Sequence, residues 1–226
     1  MVRVRHGFAA GARWTAFPWS AYWRGTHEPE IQKILLELGQ GNIEGWSCWD
    51  LGSHYGIYSI GLARRIGASG EVAAFEPNPL SFRRLETHRR LNDLSNLKLF
   101  KVAVSDVQGS SELFTYGELE STFTHLRYDG ESGVGGQPIK VATVQLDDLV
   151  RAGAIRAPDF IKIDVEGHGH RAFAGARETI ARKRPVVLAA FHCPEEEQGI
   201  LAVLEPLGYE RKQISTDDFL FTPTPR

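Results

Sequence analysis

The chain has 226 residues, 42% hydrophobic and 24% charged, enough for one large domain with a well-buried core. Its formal net charge of −2 supplies no global field that would draw it onto nucleic acid or an anionic membrane. Two cysteines, Cys48 and Cys193, exclude a disulfide framework and have no zinc-type spacing.

At the N-terminus, the stretch MVRVRHGFAAGARW is broken by Arg13 before its apolar run reaches the length of a secretory leader. No window approaches a membrane span, and a reducing cytoplasm is the expected compartment. Trp14, Phe17, Trp19, Tyr22 and Trp23 then crowd together, as an arm packed on the domain or as an aromatic lid over a ligand. Glu28 and Pro29 open a helix expected over residues 29–38 and closed by Gly39 and Gly41. Residues 1–40 are therefore expected to form an N-terminal arm and helix on a domain spanning 41–226.

Short apolar runs at 46–51, 71–76, 97–104, 159–164 and 185–192 predict strands, and segments of helical character lie between them. One helix is expected from Ile57 to Ile66; another begins with Asn78 as N-cap and Pro79 at its first position. A third covers HGHRAFAGARETIARKR, striped by Ala172, Phe173, Ala176 and Ile180. Regular alternation of this kind predicts an α/β fold, a doubly wound parallel sheet with helices on both faces. The last runs, 209–214 and 218–223, are joined only by Ser215, Thr216 and Asp217, which predicts an antiparallel hairpin at the sheet edge. Residues 116–138 are too polar and glycine-rich for core and read as a loop. The basic clusters Arg83, Arg84, Arg89, Arg90 and Arg182, Lys183, Arg184 read as solvated helix faces and ends.

The most informative turn is CWDLGSHYGIYS, residues 48–59. A strand that ends in Asp50 and passes through glycines into a helix is the first crossover of a doubly wound sheet, where ligands bind at the carboxyl ends of the strands. A dinucleotide fingerprint fits poorly, because Gly52 and Gly56 flank Ser53, His54 and Tyr55: the His would obstruct a pyrophosphate and Asp50 would repel it. S-adenosylmethionine, with an ammonium group, a sulfonium and a ribose diol but no phosphate, suits a carboxylate. Asp50 can face its ammonium group, and Gly52 lets the backbone approach. Glu76, followed by Pro77 and Asn78 at the end of the second strand, can accept both ribose hydroxyls, at about 1.5–3 kcal/mol per charge-assisted bond. Taken alone, Glu76 also reads as a carboxylate favoured by the start of the next helix.

The strings DLGSHYGIYS, VAAFEPNP, VAVSD, VATVQLDDL, PDFIKIDVEGHGHRAFAGA, PVVLAAFH and DDFLFTP, in that order over nearly the whole chain, resemble the FkbM family of S-adenosylmethionine-dependent methyltransferases. The resemblance implies the class I methyltransferase (Rossmann-like) sheet, seven strands, mostly parallel, with an antiparallel C-terminal edge hairpin. It also implies methyl transfer to a hydroxyl oxygen of a sugar, polyketide or other secondary metabolite. By the same resemblance the adenine lies at Ala103 and Val104, with Ser105 and Asp106 as polar contacts. The loop from Tyr116 to Pro138, with Ser121 and Thr122, would cover the acceptor. The chain departs from the family pattern at Ser53 and His54, and at His168, Gly169 and His170, which leaves the acceptor less defined than the cofactor.

An alcohol acceptor needs a destination for its proton, and a positioned base contributes about 10²–10⁴-fold. His192, after the fifth strand, is the first candidate base because an ordinary imidazole titrates near neutrality. Asp164, after the fourth strand, would orient the base or the acceptor hydroxyl and contact the cofactor, or else cap the following helix; Glu166 is a catalytic candidate beside it that could share the cap, and His54 is a further candidate base or acceptor contact. Asp164, Glu166 and His192 also have the donor types of a divalent-ion site, although no metal is part of the expected cofactor set. The expected partner is a small hydroxyl-bearing acceptor, with neither nucleic acid nor membrane, and the oligomeric state is open, a homodimer included. Two other readings stand: an inactive domain that binds S-adenosylmethionine or a protein partner, and a nucleotide-dependent oxidoreductase.

Overall fold

The computed structural model describes residues 1–16, 22–115, 124–126 and 137–225. Two short strands, β1 (Val2–Arg3) and β2 (Arg13–Trp14), pair antiparallel ahead of a 3₁₀ turn at Tyr22–Arg24 and helix α1 (Pro29–Gln40). There follow β3 (Ser47–Leu51), α2 (Ile57–Arg65), β4 (Glu71–Phe75), α3 (Pro79–Leu91), β5 (Leu97–Phe100) and β6 (Ala103–Val104). Next come β7 (Gly109–Thr115), β8 (Thr124–Leu126), β9 (Gln137–Val144), α4 (Leu146–Arg151) and β10 (Phe160–Ile163). The chain ends with α5 (Gly169–Ala174), α6 (Arg177–Lys183), β11 (Val186–Ala190), α7 (Pro194–Leu204), β12 (Tyr209–Gln213) and β13 (Asp218–Pro223).

Seven strands form the main sheet in the order β12-β13-β11-β10-β3-β4-β5. The five from β11 to β5 are parallel, and β13 runs antiparallel to both β11 and β12. Every residue of β3, β4 and β10 is buried, as expected of strands covered by helices on both faces. Strand order reverses between β3 and β10, so the crossovers diverge there and leave a crevice at the strands' carboxyl ends. Asn78 caps α3 through its Oδ1, which accepts from the Leu80 and Ser81 N–H groups, with Pro79 at the first helical position. No helix among the described residues is long and apolar enough to cross a membrane.

Three expected elements differ. The run 97–104 divides: β5 stays at the edge of the main sheet, with Phe100 stacked on Phe75, whereas β6 pairs with β9 in a second sheet of order β6-β9-β7-β8. Among the described residues the main sheet has no strand beyond β5, and the backbone groups of Ala103 and Val104 find partners in Thr143 and Val144. The single helix over 168–184 is two, α5 and α6. The Gly175 carbonyl accepts from the Asp147 N–H, and the Asp147 carboxylate takes the Glu178 and Thr179 N–H groups, starting α6 anew from a residue distant in sequence. The four stripe residues are nonetheless all buried. Within the expected loop 116–138, Thr124–Leu126 is a strand paired with β7; Ser121 and Thr122 lie outside the described residues.

The N-terminal segment shares the main core. Val4, Phe8, Ala9, Ala12 and Trp14 join a cluster with residues of α2, and Trp14 stacks on His88 with ring centroids 3.5 Å apart. Gln32 of α1, itself buried, ties this segment down: Oε1 accepts from the Phe8 N–H at 2.7 Å, and Nε2 donates to the Gly25 and His27 carbonyls. Of the other aromatic residues there, Phe17 and Trp19 lie outside the described residues, whereas Tyr22 reaches the crevice.

Candidate active site

The crevice opens where β3, β4 and β10 end, and its wall contains Gly52, His54, Glu76, Pro77, Ala103 and Val104 on one side and Asp164, Glu166 and His192 on the other. Six of the described sequence candidates lie outside this wall, Ser105 and Asp106 after β6 among them. Asp50, 1% exposed, sits behind it, where its Oδ2 accepts from the Ser59 hydroxyl and its Oδ1 has no partner among the described residues. Burial raises its pKa, opposed by the nearby charge of Lys162. The Ser53 hydroxyl turns to the Phe75 carbonyl, Gly56 starts α2 with φ +88°, and Asn78 is occupied with its cap.

Gly52 has a structural reason beyond ligand access. Its φ is +81°, and a Cβ there would stand 1.8 Å from the Asp164 carbonyl oxygen, so the ends of β3 and β10 close only around a glycine.

Glu76 is buried with both oxygens engaged: Oε1 accepts from the Asn78 N–H and Oε2 from the His54 N–H, each at 2.8 Å. Burial outweighs these two donors and lifts its pKa to about 7. His54 adopts a left-handed backbone, φ +47°, that turns its N–H to Glu76. Its ring stacks on Tyr55, its Nδ1 meets the Tyr22 hydroxyl at 3.0 Å, and its Nε2 has no partner among the described residues. Burial pushes its pKa down to about 3, so the imidazole is neutral.

On the opposite side, the His192 Nε2 lies 3.3 Å from Asp164 Oδ1 and 3.6 Å from Glu166 Oε2, while its Nδ1 lies 3.2 Å from Glu196 Oε2. Burial lowers the pKa of His192, but the Glu196 hydrogen bond and the charges of Asp164 and Glu166 prevail and raise it to about 9. An imidazole so placed gives up its proton less readily than the ordinary one on which the choice of His192 as base was argued. Asp164 is held by Lys162 Nζ at 3.0 Å as well as by His192, an engagement other than the helix cap considered from sequence.

Several residues here carry no motif of their own. Lys162 is 6% exposed, lies over the Tyr58 ring, and is held charged against burial by Asp164, Asp50 and Glu28. A lysine in the apolar run FIKID, two before Asp164 and hence on the same strand face, was the signal for it. Glu28 lines the cavity beside His27; despite burial, His27, Lys162 and the Tyr58 hydroxyl hold its pKa down at about 2. Glu196, fully buried, anchors the His192 and Gly169 N–H groups, a role no local pattern announces.

The methyltransferase FkbM domain model matches residues 50–211, most of the main sheet and its helices. The chain belongs to the FkbM methyltransferase family. Among curated relatives, the hexuronic acid methyltransferase AglP of Haloferax volcanii is 30% identical over 141 residues, covering 62% of this chain and 53% of that protein. The 2-O-methyltransferase NoeI of Sinorhizobium fredii is 28% identical over 132 residues, covering 50% of this chain and 51% of the relative. The chain spans about half the length of the curated relatives it matches. The crystal structure of an FkbM methyltransferase from Methylobacillus flagellatus KT superposes with a TM-score of 0.55 at 18% identity, covering 78% of this chain and 43% of that one. A precorrin-6y C5,15-methyltransferase from Geobacter metallireducens GS-15 does so with 0.54 at 11% identity, covering 95% of both chains. Such likenesses establish the sheet as that of the class I methyltransferases.

Proposed function

We propose that the chain is an S-adenosylmethionine-dependent O-methyltransferase acting on a hydroxyl of a sugar or similar small polyol. The observation that carries this reading is Glu76, a buried carboxylate at the end of β4 with two backbone donors behind it and the cavity in front. A carboxylate has about four acceptor positions, so the two left free suit a vicinal ribose diol. Apolar groups of Phe75, Val102, Ala103, Val104 and Leu113 beside it suit a flat heteroaromatic ring. No Arg or Lys is among the described residues lining the cavity, which favours a cofactor without phosphate and disfavours a dinucleotide.

When bound, S-adenosylmethionine supplies an electrophilic methyl group on a sulfonium. The chain's own work is to position and to manage charge. Glu76 and the β4 end hold the nucleoside, while Asp164 and Glu166 face the acceptor, where one of these carboxylates takes the hydroxyl proton as the methyl group passes from sulfur to oxygen. Lys162 keeps Asp164 in place from below, and Tyr22, His27 and Glu28 bring the N-terminal segment 1–40 to the same cavity as the domain over 41–226. The relatives named for a hexuronic acid and for 2-O transfer support a carbohydrate hydroxyl as acceptor.

Calorimetric titration of the protein with S-adenosylmethionine, its demethylated product S-adenosylhomocysteine, and NAD tests the cofactor. Binding of the two sulfur compounds without NAD is expected; binding of NAD alone overturns the reading. Transfer of a labelled methyl group from S-adenosylmethionine to a panel of neutral sugars, amino sugars and uronates then tests the acceptor.

A further inference from the structure

Strand ends adjacent in the sheet bring a third function to the acceptor side. Asp164 follows β10, His192 follows β11, these strands are paired, and the left-handed backbone of Glu166, φ +51°, accompanies its return to the same spot. One ligand atom from each of the three side chains lies within 4.8 Å of the others. Two carboxylate oxygens and one imidazole nitrogen suit a hard or borderline divalent ion, and three protein ligands facing a cavity leave coordination positions open, as catalytic sites do.

The groups behind the cluster point the same way. Lys162 takes Asp164 Oδ2 and leaves Oδ1 facing His192. The fully buried Glu196 takes His192 Nδ1, which assigns the ring proton to that side once the ring is neutral and leaves the Nε2 lone pair toward Asp164 and Glu166. Glu196 is in turn fixed by the His192 N–H at 2.9 Å and the Gly169 N–H at 2.8 Å. A carboxylate on the far ring nitrogen is the usual outer partner of a metal-bound histidine. Lys162 is committed to the far oxygen of Asp164, and a cation bound here would take the place of the His192 proton between the same groups.

We propose that Asp164, Glu166 and His192 hold a divalent cation whose open positions take two neighbouring hydroxyl oxygens of the acceptor, so that the preferred acceptor is a vicinal diol. The diol preference rests on the methyltransferase reading; the cation site does not.

The test is titration of the EDTA-treated, dialysed full chain with Mn²⁺, Mg²⁺ and Zn²⁺ by calorimetry, with Mn²⁺ also followed by electron paramagnetic resonance. One saturable site per chain for at least one ion is expected. Glu166→Gln and His192→Ala should each weaken it by about 100-fold or more, and Glu196→Gln by about 10–100-fold as an outer partner. Circular dichroism and thermal unfolding identify any variant that fails to fold. Should His192→Ala be one, Glu166→Gln carries the test. Absence of saturable binding by all three ions, or affinity unchanged in a folded Glu166→Gln variant, overturns the proposal. S-adenosylmethionine binding in the same samples keeps the two readings apart: cofactor without cation sinks only the metal site, and cation without cofactor sinks only the methyltransferase.

Discussion

Replacing Glu76 by Gln removes one negative charge and converts one of two acceptor oxygens into a donor. In the wild type those oxygens each receive a backbone N–H, from His54 and Asn78, at 2.8 Å. The amide nitrogen must then face one of these donors, and a single buried N–H without a partner costs about 1–3 kcal/mol. Against this, the amide avoids burying a carboxylate whose pKa stands at about 7 instead of the usual carboxylate value, a relief of about 3 kcal/mol above neutral pH. The two effects nearly cancel, so the variant should fold. Binding has no such compensation: a charged hydrogen bond to the ribose contributes about 1.5–3 kcal/mol, and its loss should weaken S-adenosylhomocysteine by about 10- to 150-fold. Calorimetry at pH 8, paired with urea unfolding, measures both quantities. A folded Glu76→Gln variant that binds within about twofold of the wild type would refute Glu76 as the ribose acceptor.

Proton linkage at the same residue gives a pH signature. In the ligand-free fold, Glu76 keeps its proton to about pH 7 while the unfolded chain releases it at the ordinary carboxylate pKa, so this group's contribution to stability falls as pH rises across that window. If the cofactor takes the ionised form, its affinity should rise up to about pH 7 and then level off, and Glu76→Gln should flatten that rise; titrations from pH 5.5 to 8.5 read it out. Gly52→Ala should lose at least about 1–3 kcal/mol from the left-handed backbone alone, and more from the contact with the Asp164 carbonyl, as a lowered urea midpoint with weakened cofactor binding. Lys162→Met leaves buried carboxylates without their cation and should cost about 3–5 kcal/mol, measured by thermal or chemical unfolding. Gln32→Leu strands the Phe8 N–H and the Gly25 and His27 carbonyls, and should expose Arg3, Arg5 and Arg13 to trypsin at concentrations that spare the wild type.

Much of this was written in local chemistry. Alternating apolar runs and helical stripes determined the doubly wound sheet, and the three-residue link Ser215–Asp217 determined its closing hairpin, because each signal depends on neighbours a few positions away. Asn78 and Pro79 announced the start of α3, and the turn after Asp50 together with Glu76 announced the side of the sheet that would hold the site. The split of 97–104 into two sheets was not legible, since it depends on Val144 and Thr143, some forty residues on, supplying partners that the main sheet lacks. Nor was the break between α5 and α6, imposed by Asp147. At the site, sequence supplied the residue types and the fold supplied their charge states. Asp50 lies behind the wall beside Lys162 and burial lowers the pKa of His54 in its stack, while that of His192 is raised because Asp164, Glu166 and Glu196 surround it. Residue identity fixes what a group is able to do; burial and the charges that other segments bring within a few ångströms decide its state, and those distances exist only once the chain has folded.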